Sequence, residues 1–321
     1  LPAIDDAGEP DRASVRALRD FLRDVILDVP NDFRDNSSIH KEIAMANSIL
    51  SAPYFHNEEA AYEFVEARIW PKGPVCPHCG GTERNGKMGG KSTRIGTYKC
   101  YDCRKPFTVK VGTIFESSHI PMRLWLQAIF LISSSKKGIS SNQLHRTLGI
   151  TLKSAWFMSH RIREAMKDGG LDPMGGTGGA VEVDETFIGR DFLKKPKGEK
   201  KGRGTDHKYK VLSLVDRTTG KARSIVVDDL QVKTLYPILM ANIRREAQLM
   251  TDEATHYQKL GHLFARHGYT SHTKGEYVSK TDPYVHTNTV EGYFSIFKRG
   301  MKGIYQHCAH NHLNRYVTEL D

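Results

Sequence analysis

Val181-Glu182-Val183-Asp184-Glu185-Thr186-Phe187-Ile188 alternates apolar and polar residues along its length, the period of a half-buried strand. On such a strand Asp184 lies on the side of Glu182 and opposite Val181 and Val183. Residues 210–216, the tight turn Thr218-Thr219-Gly220 and residues 221–227 then read as strand, turn, strand. Residues 231–243 read as a helix, 247–252 as a fourth strand, 256–267 as a helix, and the segment from Asn288 onward as helical again. Three consecutive strands followed by helix, strand and helices predict a mixed sheet with helices packed on it.

Two more acids sit where a sheet could gather them. Asp252 closes the fourth strand and Glu291 lies in the first turn of the final helical segment. Three converging carboxylates repel one another unless they hold cations, and oxygen ligands suit Mg²⁺ or Mn²⁺. Two such ions about 4 Å apart make a phosphoryl-transfer site. Glu182, Glu185, Asp216, Asp228, Asp229 and Glu253 compete for these roles, and Asn288-Thr-Val-Glu291 also fits a capping box that needs no metal. Glu291 and Lys298 are two helical turns apart, on one face with Asn288 and Ser295, so Lys298 is placed to hold a phosphate.

The 321 residues carry 47 Lys and Arg against 37 Asp and Glu, a net charge of +10 that favours a polyanionic partner over a small acidic one. Hydrophobic residues at 39% and charged residues at 26% exclude a disordered or fibrous chain. No apolar run is long enough to span a bilayer, and acids near Leu1 in place of a basic and then apolar leader argue against a secretory signal. Residues 1–44 hold ten acids and six bases, which leaves 41 bases and 27 acids for the remainder. An amphipathic helix is expected over 12–29, ended by Pro30, and Met45 reads like a natural start. Residues 1–44 are therefore expected to be a dispensable acidic appendage, not native to the working protein. The basic excess is densest between the first two strands of the sheet, where Lys194, Lys195, Lys197, Lys200, Lys201 and Arg203 alternate with glycines in a loop suited to a phosphate backbone.

Cys76-Pro-His-Cys79-Gly-Gly and Cys100-Tyr-Asp-Cys103 are two CxxC turns about twenty residues apart, the spacing of a tetrahedral zinc site. Two disulfides would need an oxidising compartment, for which nothing speaks. Cys308 has no partner in this pattern and is expected to be a buried thiol. Helix is expected over 58–67, so residues 45–115 read as an N-terminal helix and zinc ribbon. Residues 116–168 read as helices: one around Met122, Trp125, Ile129 and Ile132, a second opened by Ser140 with Gln143 in the capping-box position, and a third over 152–167 after Gly149-Ile-Thr151. The last two match helix-turn-helix, with Lys153, Ser154, His160, Arg161 and Arg163 as candidate DNA contacts and a plain helical bundle as the alternative. Residues 169–180, rich in glycine, read as a flexible linker before the sheet domain at 181–321.

The ordered set Cys76-Pro-His-Cys-Gly80, Tyr98-Lys-Cys-Tyr-Asp-Cys103, Val183-Asp-Glu-Thr-Phe-Ile-Gly189, Thr251-Asp-Glu253, His286-Thr-Asn-Thr-Val-Glu291 and Phe297-Lys-Arg-Gly300 resembles bacterial insertion-sequence transposases of the ISXO-like group. The likeness covers residues 46–321. It implies an α/β multidomain protein with a zinc ribbon, a helix-turn-helix-like region and a ribonuclease-H-like mixed-sheet catalytic domain of the DDE type. Such a protein binds the terminal inverted repeats of its element and cleaves and joins DNA strands with two Mg²⁺ or Mn²⁺ ions, alongside one structural Zn²⁺. Carried over by position, the trio is Asp184, Asp252 and Glu291. Some members of the group are described by an Asn and a Lys instead, and Asn288 and Lys298 occupy those places, so the third ligand stays open between Glu291 and Asn288. A homodimer or larger assembly on paired DNA ends and a cytoplasmic, nucleoid-associated location follow from the same likeness, as does a chain continuing past Asp321. The competing readings are a non-catalytic ribbon and helix-turn-helix regulator, and a nuclease of ribonuclease H fold that cleaves without joining.

Overall fold

The computed structural model describes residues 48–167, 172–189 and 207–321. The acidic segment 1–44 and the loop residues Lys194, Lys195, Lys197, Lys200, Lys201 and Arg203 lie outside the described residues. Within them the chain divides into two units, residues 48–135 with 139–167 and residues 172–321 with 136–138.

In the first unit α1 (Glu58–Ile69) begins at Asn57, whose side chain accepts the Ala60 N–H. Three short antiparallel strands follow, β1 (Asn85–Lys87), β2 (Tyr98–Cys100) and β3 (Pro106–Phe107), in that spatial order. Then come α2 (Met122–Ser133), α3 (Ser141–Leu148) and α4 (Leu152–Ala165). Ser140 Oγ accepts the Gln143 N–H at 3.1 Å, Gly149 ends α3 in the left-handed region at φ +65°, and Thr151 caps α4. Trp125, Leu126 and Ile129 of α2 pack with Leu144, Ala155, Met158 and Ile162, and also with Phe55, Ala61, Tyr62 and Val65 from the first helical stretch. Glu58 of α1 caps α2 directly, accepting the Met122 and Arg123 N–H groups at 2.6 and 3.2 Å. The expected division between 45–115 and 116–168 is therefore not where packing divides. A lone helix has no core of its own, so α1 joins α2–α4, and the ribbon is inserted between α1 and α2.

The second unit is a five-stranded sheet ordered β6-β5-β4-β7-β8: β4 (Ala180–Ile188), β5 (Tyr209–Asp216), β6 (Ala222–Val227), β7 (Gln248–Asp252) and β8 (Arg266–Thr270). β4 is antiparallel to β5 and β5 to β6, whereas β7 runs parallel to β4 and β8 parallel to β7. On one face Val181, Val183, Leu212, Leu214 and Leu249 meet α5 (Val232–Asn242) and α6 (Thr255–Gly261) through Leu235, Leu239, Tyr257 and Leu260. On the other, Ile188 and Val211 meet Phe297 of α7 (Asn288–Gly300) and Leu313, Tyr316 and Val317 of α8 (His310–Leu320), while Val215 packs on Val290 and Phe294. Among the described residues no helix is long and apolar enough to cross a membrane.

Two sequence expectations fail here. The helix expected over 256–267 is only α6, followed by strand β8. The polar run Arg266-His-Gly-Tyr-Thr hides an edge strand, and its glycine serves close packing. A Cβ on Gly268 would lie 2.8 Å from the Val285 side chain and 2.9 Å from the Met250 sulfur. The described part of the expected linker, residues 172–180, is packed. Met174 is buried and bridges Ile243, and the Gly175 N–H donates to Asp216 at 3.1 Å. A Cβ on Gly175 would lie 2.4 Å from that of Ala247, so this glycine permits contact and not flexibility.

Candidate functional site

Register on the central strand brings two of the predicted acids together. β4 and β7 pair as Val181 with Leu249 and Glu182 with Met250, so two residues further on Asp184 is level with Asp252 and on the same face. That face is the one α7 crosses, with Val290 and Phe294 set against Val215 of β5. Glu291, one helical turn in, accepts a hydrogen bond from Thr287 Oγ1 at 3.2 Å, and its Oε1 lies 3.5 Å from His272 Nε2.

The electrostatics agree with this convergence. Burial, reinforced by the charge of Glu185 and then of Asp252 and Glu291, pushes Asp184 up to about 8 despite a hydrogen bond from the Glu185 N–H. Burial also raises Asp252. The Ala254 N–H donated to its Oδ1 at 3.0 Å works against that rise, as do His256 and His272, whereas Glu185 adds to it. Two carboxyls that resist ionising beside one another are a donor set for a hard divalent cation, whose charge would restore both anions. Among the described residues the four cysteines are the one His, Cys, Asp and Glu group with ligand atoms all within 4.8 Å, so the acids stand wider apart than those thiols.

The competing acids have other work. Glu182 is fully buried and accepts from Arg217 Nε, from Thr289 Oγ1 at 2.8 Å and from the Val290 N–H at 2.8 Å. It therefore caps α7 from across space, with Thr287 at the N-cap position and Asn288 the first helical residue. The alternative capping box of Asn288 and Glu291 is not formed: Asn288 is already helical, the Glu291 N–H donates to the Thr287 carbonyl at 3.1 Å, and the Glu291 carboxylate takes the Thr287 hydroxyl. Asn288 is exposed and its N–H lies 3.4 Å from His286 Nδ1. Glu185, on the opposite face of β4, accepts from the buried Tyr257 hydroxyl at 2.7 Å. Asp216 holds the turn at 218–219 and Asp229 caps the start of α5 through the Gln231 N–H and Thr234 Oγ1. Glu253 binds the Thr273 N–H and hydroxyl, which steadies the turn carrying His272. Asp228 is exposed. Lys298, in the last turn of α7, has its ammonium 5.7 Å from the Phe294 ring centroid.

Sequence reasoning missed His272, Arg217 and His286. Their significance is purely spatial. Arg217 follows β5 yet donates to the carbonyls of Tyr284 and His286 at 2.7 and 2.6 Å and lies 2.9 Å from His286 Nδ1. Since Arg217 can only donate, Nδ1 of His286 is the acceptor there, and burial and Arg217 together lower that imidazole.

In the first unit the ribbon is built from two knuckles. The Gly80 N–H returns to the Cys76 carbonyl at 2.8 Å and the Cys100 N–H donates to Lys105 at 3.1 Å, with Gly80 and Arg104 in the left-handed region just after Cys79 and Cys103. Cys76 Sγ lies 3.6 Å from that of Cys103, and Cys79 Sγ 3.7 Å from that of Cys100. Disulfide sulfurs stand about 2 Å apart, whereas the edge of a tetrahedron with Zn–S bonds of about 2.3 Å is about 3.8 Å. The donor set therefore fits zinc. Trp70, Tyr98 and Phe107 back it with ring centroids 5.5 to 5.7 Å apart. Cys308 is half-buried at the margin of the α7–α8 core, not fully enclosed as expected.

The α4 candidates separate sharply. Lys153 is exposed and Ser154 half-exposed at the start of the helix. His160 is buried against Trp156, ring centroids 4.1 Å apart, and Arg163 is buried near the Ile139 carbonyl. Arg161 donates to the carbonyls of Ile114 and Glu116 at 2.8 and 2.5 Å. His160 and Arg163 are corrected from DNA contacts to packing residues, because they lie on the side α4 buries, and Arg161, half-buried, is a tether to the carbonyls at 114 and 116.

Comparison with known proteins follows this geometry. Residues 177–321 match the ISXO2-like transposase domain and residues 56–106 the transposase zinc-ribbon domain. A curated relative, an uncharacterized protein in transposable element ISH50 of Halobacterium salinarum, is 27% identical over 264 residues, covering 76% of this chain and 83% of that one. Among solved structures, a chain in the simian T-cell lymphotropic virus intasome in complex with PP2A regulatory subunit B56 gamma aligns at 16% identity and TM-score 0.27. It covers 56% of this chain and 63% of its own, under two thirds, and the superposition is too poor to bear on the fold.

Proposed function

We propose that this chain, whose two matched domains are those of the ISXO2-like insertion-sequence transposases, binds the terminal inverted repeats of its element and carries out metal-dependent DNA strand cleavage and strand transfer. The observation that carries the reading is the level placement of Asp184 and Asp252 on adjacent parallel strands, with both carboxyls raised. The order β6-β5-β4-β7-β8, three antiparallel strands and two parallel ones, supports a ribonuclease-H-like sheet.

Asp184, Asp252 and either Glu291 or Asn288 would hold two Mg²⁺ or Mn²⁺ ions. When bound, the pair supplies a lowered pKa for the attacking water or 3′-hydroxyl and stabilisation of the leaving oxygen. Lys298 contacts a DNA phosphate from the same helix face as Glu291. The four cysteines would hold one structural Zn²⁺. The α3–α4 pair, joined through residues 149–151, acts as a helix-turn-helix with Lys153 and Ser154 toward DNA. Lys194, Lys195, Lys197, Lys200, Lys201 and Arg203 add a phosphate-tracking loop. Two ends are paired by a dimer or larger assembly working on the nucleoid.

Strand transfer between an end-bearing oligonucleotide and a target plasmid tests this. Asp184→Asn and Asp252→Asn should each abolish both cleavage and joining, and persistent product from either would sink the reading. Cleavage without joined product would favour the nuclease. Glu291→Gln and Asn288→Ala, assayed side by side, assign the third ligand to whichever variant loses activity.

A further inference from the structure

Glu182 and Asp184 project from the same face of β4, two residues apart, yet their surroundings differ completely. Glu182 is fully buried, and the donors to its carboxylate are Arg217, which follows β5, and Thr289 and Val290 in the first turn of α7. Its Oε1 accepts from Arg217 Nε and Thr289 Oγ1, and its Oε2 accepts the Val290 N–H. The remaining donors of Arg217 take the carbonyls of Tyr284 and His286, just ahead of the Thr287 N-cap, and its own N–H donates to Ala180 at 3.0 Å. His286 Nδ1 stands 3.4 Å from the Glu182 carboxylate, but as the acceptor of Arg217 it adds no charge to the pair.

We infer that Glu182 and Arg217 are positioning residues that fix the first turn of α7 on β4, and thereby set where the third metal-holding side chain stands relative to Asp184. This rests on the metal reading of the acids. The physical ground is that the first turn of α7 carries the candidate ligands. Its aromatic residues further along, Phe294 and Phe297, pack on the sheet, but hydrophobic contact leaves sliding and rotation of the first turn weakly determined. Directional hydrogen bonds to one buried carboxylate determine both. Glu291 follows Val290, whose N–H is held, by one residue, and Asn288 precedes Thr289, whose hydroxyl is held, by one. The pin thus serves whichever of the two is the ligand.

The test uses the full chain with Fe²⁺ as the probe in place of the working ion. With ascorbate and oxygen, bound Fe²⁺ generates radicals that cut the backbone next to its ligands, giving fragments that report on each ligand position without DNA chemistry. Wild-type protein should be cut near 184, near 252 and at 288–291. In Glu182→Gln the 288–291 fragments should fall roughly tenfold relative to the other two, the scale of removing a supporting hydrogen bond behind a metal ligand. Thr289→Val removes one hydrogen bond at an exposed position and should move the same ratio in the same direction by less, so it decides the matter if Glu182→Gln fails to fold. Melting temperature is followed in parallel. An unchanged ratio, or all three cuts falling together with the melting temperature, overturns the inference. A wild-type protein cut near 184 and 252 but never at 288–291 overturns instead the reading of α7 as the source of the third ligand.

Discussion

The four-cysteine ribbon and the acid site gather ligands in opposite ways. The ribbon draws all four sulfurs from two knuckles within one short stretch, and few apolar side chains enclose them beyond Trp70, Tyr98 and Phe107. The acids come from β4, β7 and α7, held by a sheet that is buried on both faces. In the first region a zinc ion would stand in for a core; in the second the core exists beforehand and a divalent ion would answer a charge problem the fold has created. The lesson is that removing metal should cost the ribbon its structure and cost the acid site only its function.

That contrast can be broken most directly by zinc. Cys76→Ser or a strong chelator should unfold the ribbon, because a structural zinc site contributes about 10–16 kcal/mol of apparent binding free energy that is also folding free energy. Amide exchange should rise across 76–107 while the five-stranded sheet keeps its protection. Protection lost equally in both regions would erase the distinction.

A smaller effect, of opposite sign, is expected at the acids. Asp184 is raised to about 8 in the folded state against about 3.9 when unfolded, so the folded state holds the extra proton between those values. Stability of the metal-free sheet unit should therefore fall as pH rises through that window, with the penalty absent below it and complete above it. Asp184→Asn should flatten the dependence and raise the melting temperature at pH 8, by about 2–4 °C for each kcal/mol relieved. A variant that melts lower than wild type at pH 8 without metal would show that the carboxylate is not strained by its surroundings.

The smallest effect concerns α4. Lys153→Ala should reduce the slope of log affinity for DNA against log salt by roughly 0.9, one phosphate contact. Arg161→Met should leave that slope alone and lower the melting temperature through the lost tether to Ile114 and Glu116. A slope that responds to Arg161 and not to Lys153 would reverse the assignment.

Much of this was legible in the chain and some was not, for identifiable reasons. The strand holding Asp184 announces itself by its alternation, and Ser140 with Gly149 marks both ends of α3 by backbone chemistry that acts within a few residues. The helix expected over 256–267 ran into the start of β8, a strand that Gly268 leaves without an apolar side chain to signal it. His160, Arg161 and Arg163 read as candidate DNA contacts because residue type says nothing of which side a helix buries. Glu182 could not be told from Asp184, since both are acids on one face of one strand.

From sequence alone came whatever depends on near neighbours along the chain: the CxxC knuckles, the caps, the alternating strand, the basic surplus, and the ordered motifs of the transposase domains. Tertiary structure alone decided which acids stay strained and which are satisfied. That outcome depends on burial and on partners such as Arg217, Thr289 and Tyr257, which are distant in sequence and become neighbours only when the sheet and its helices close.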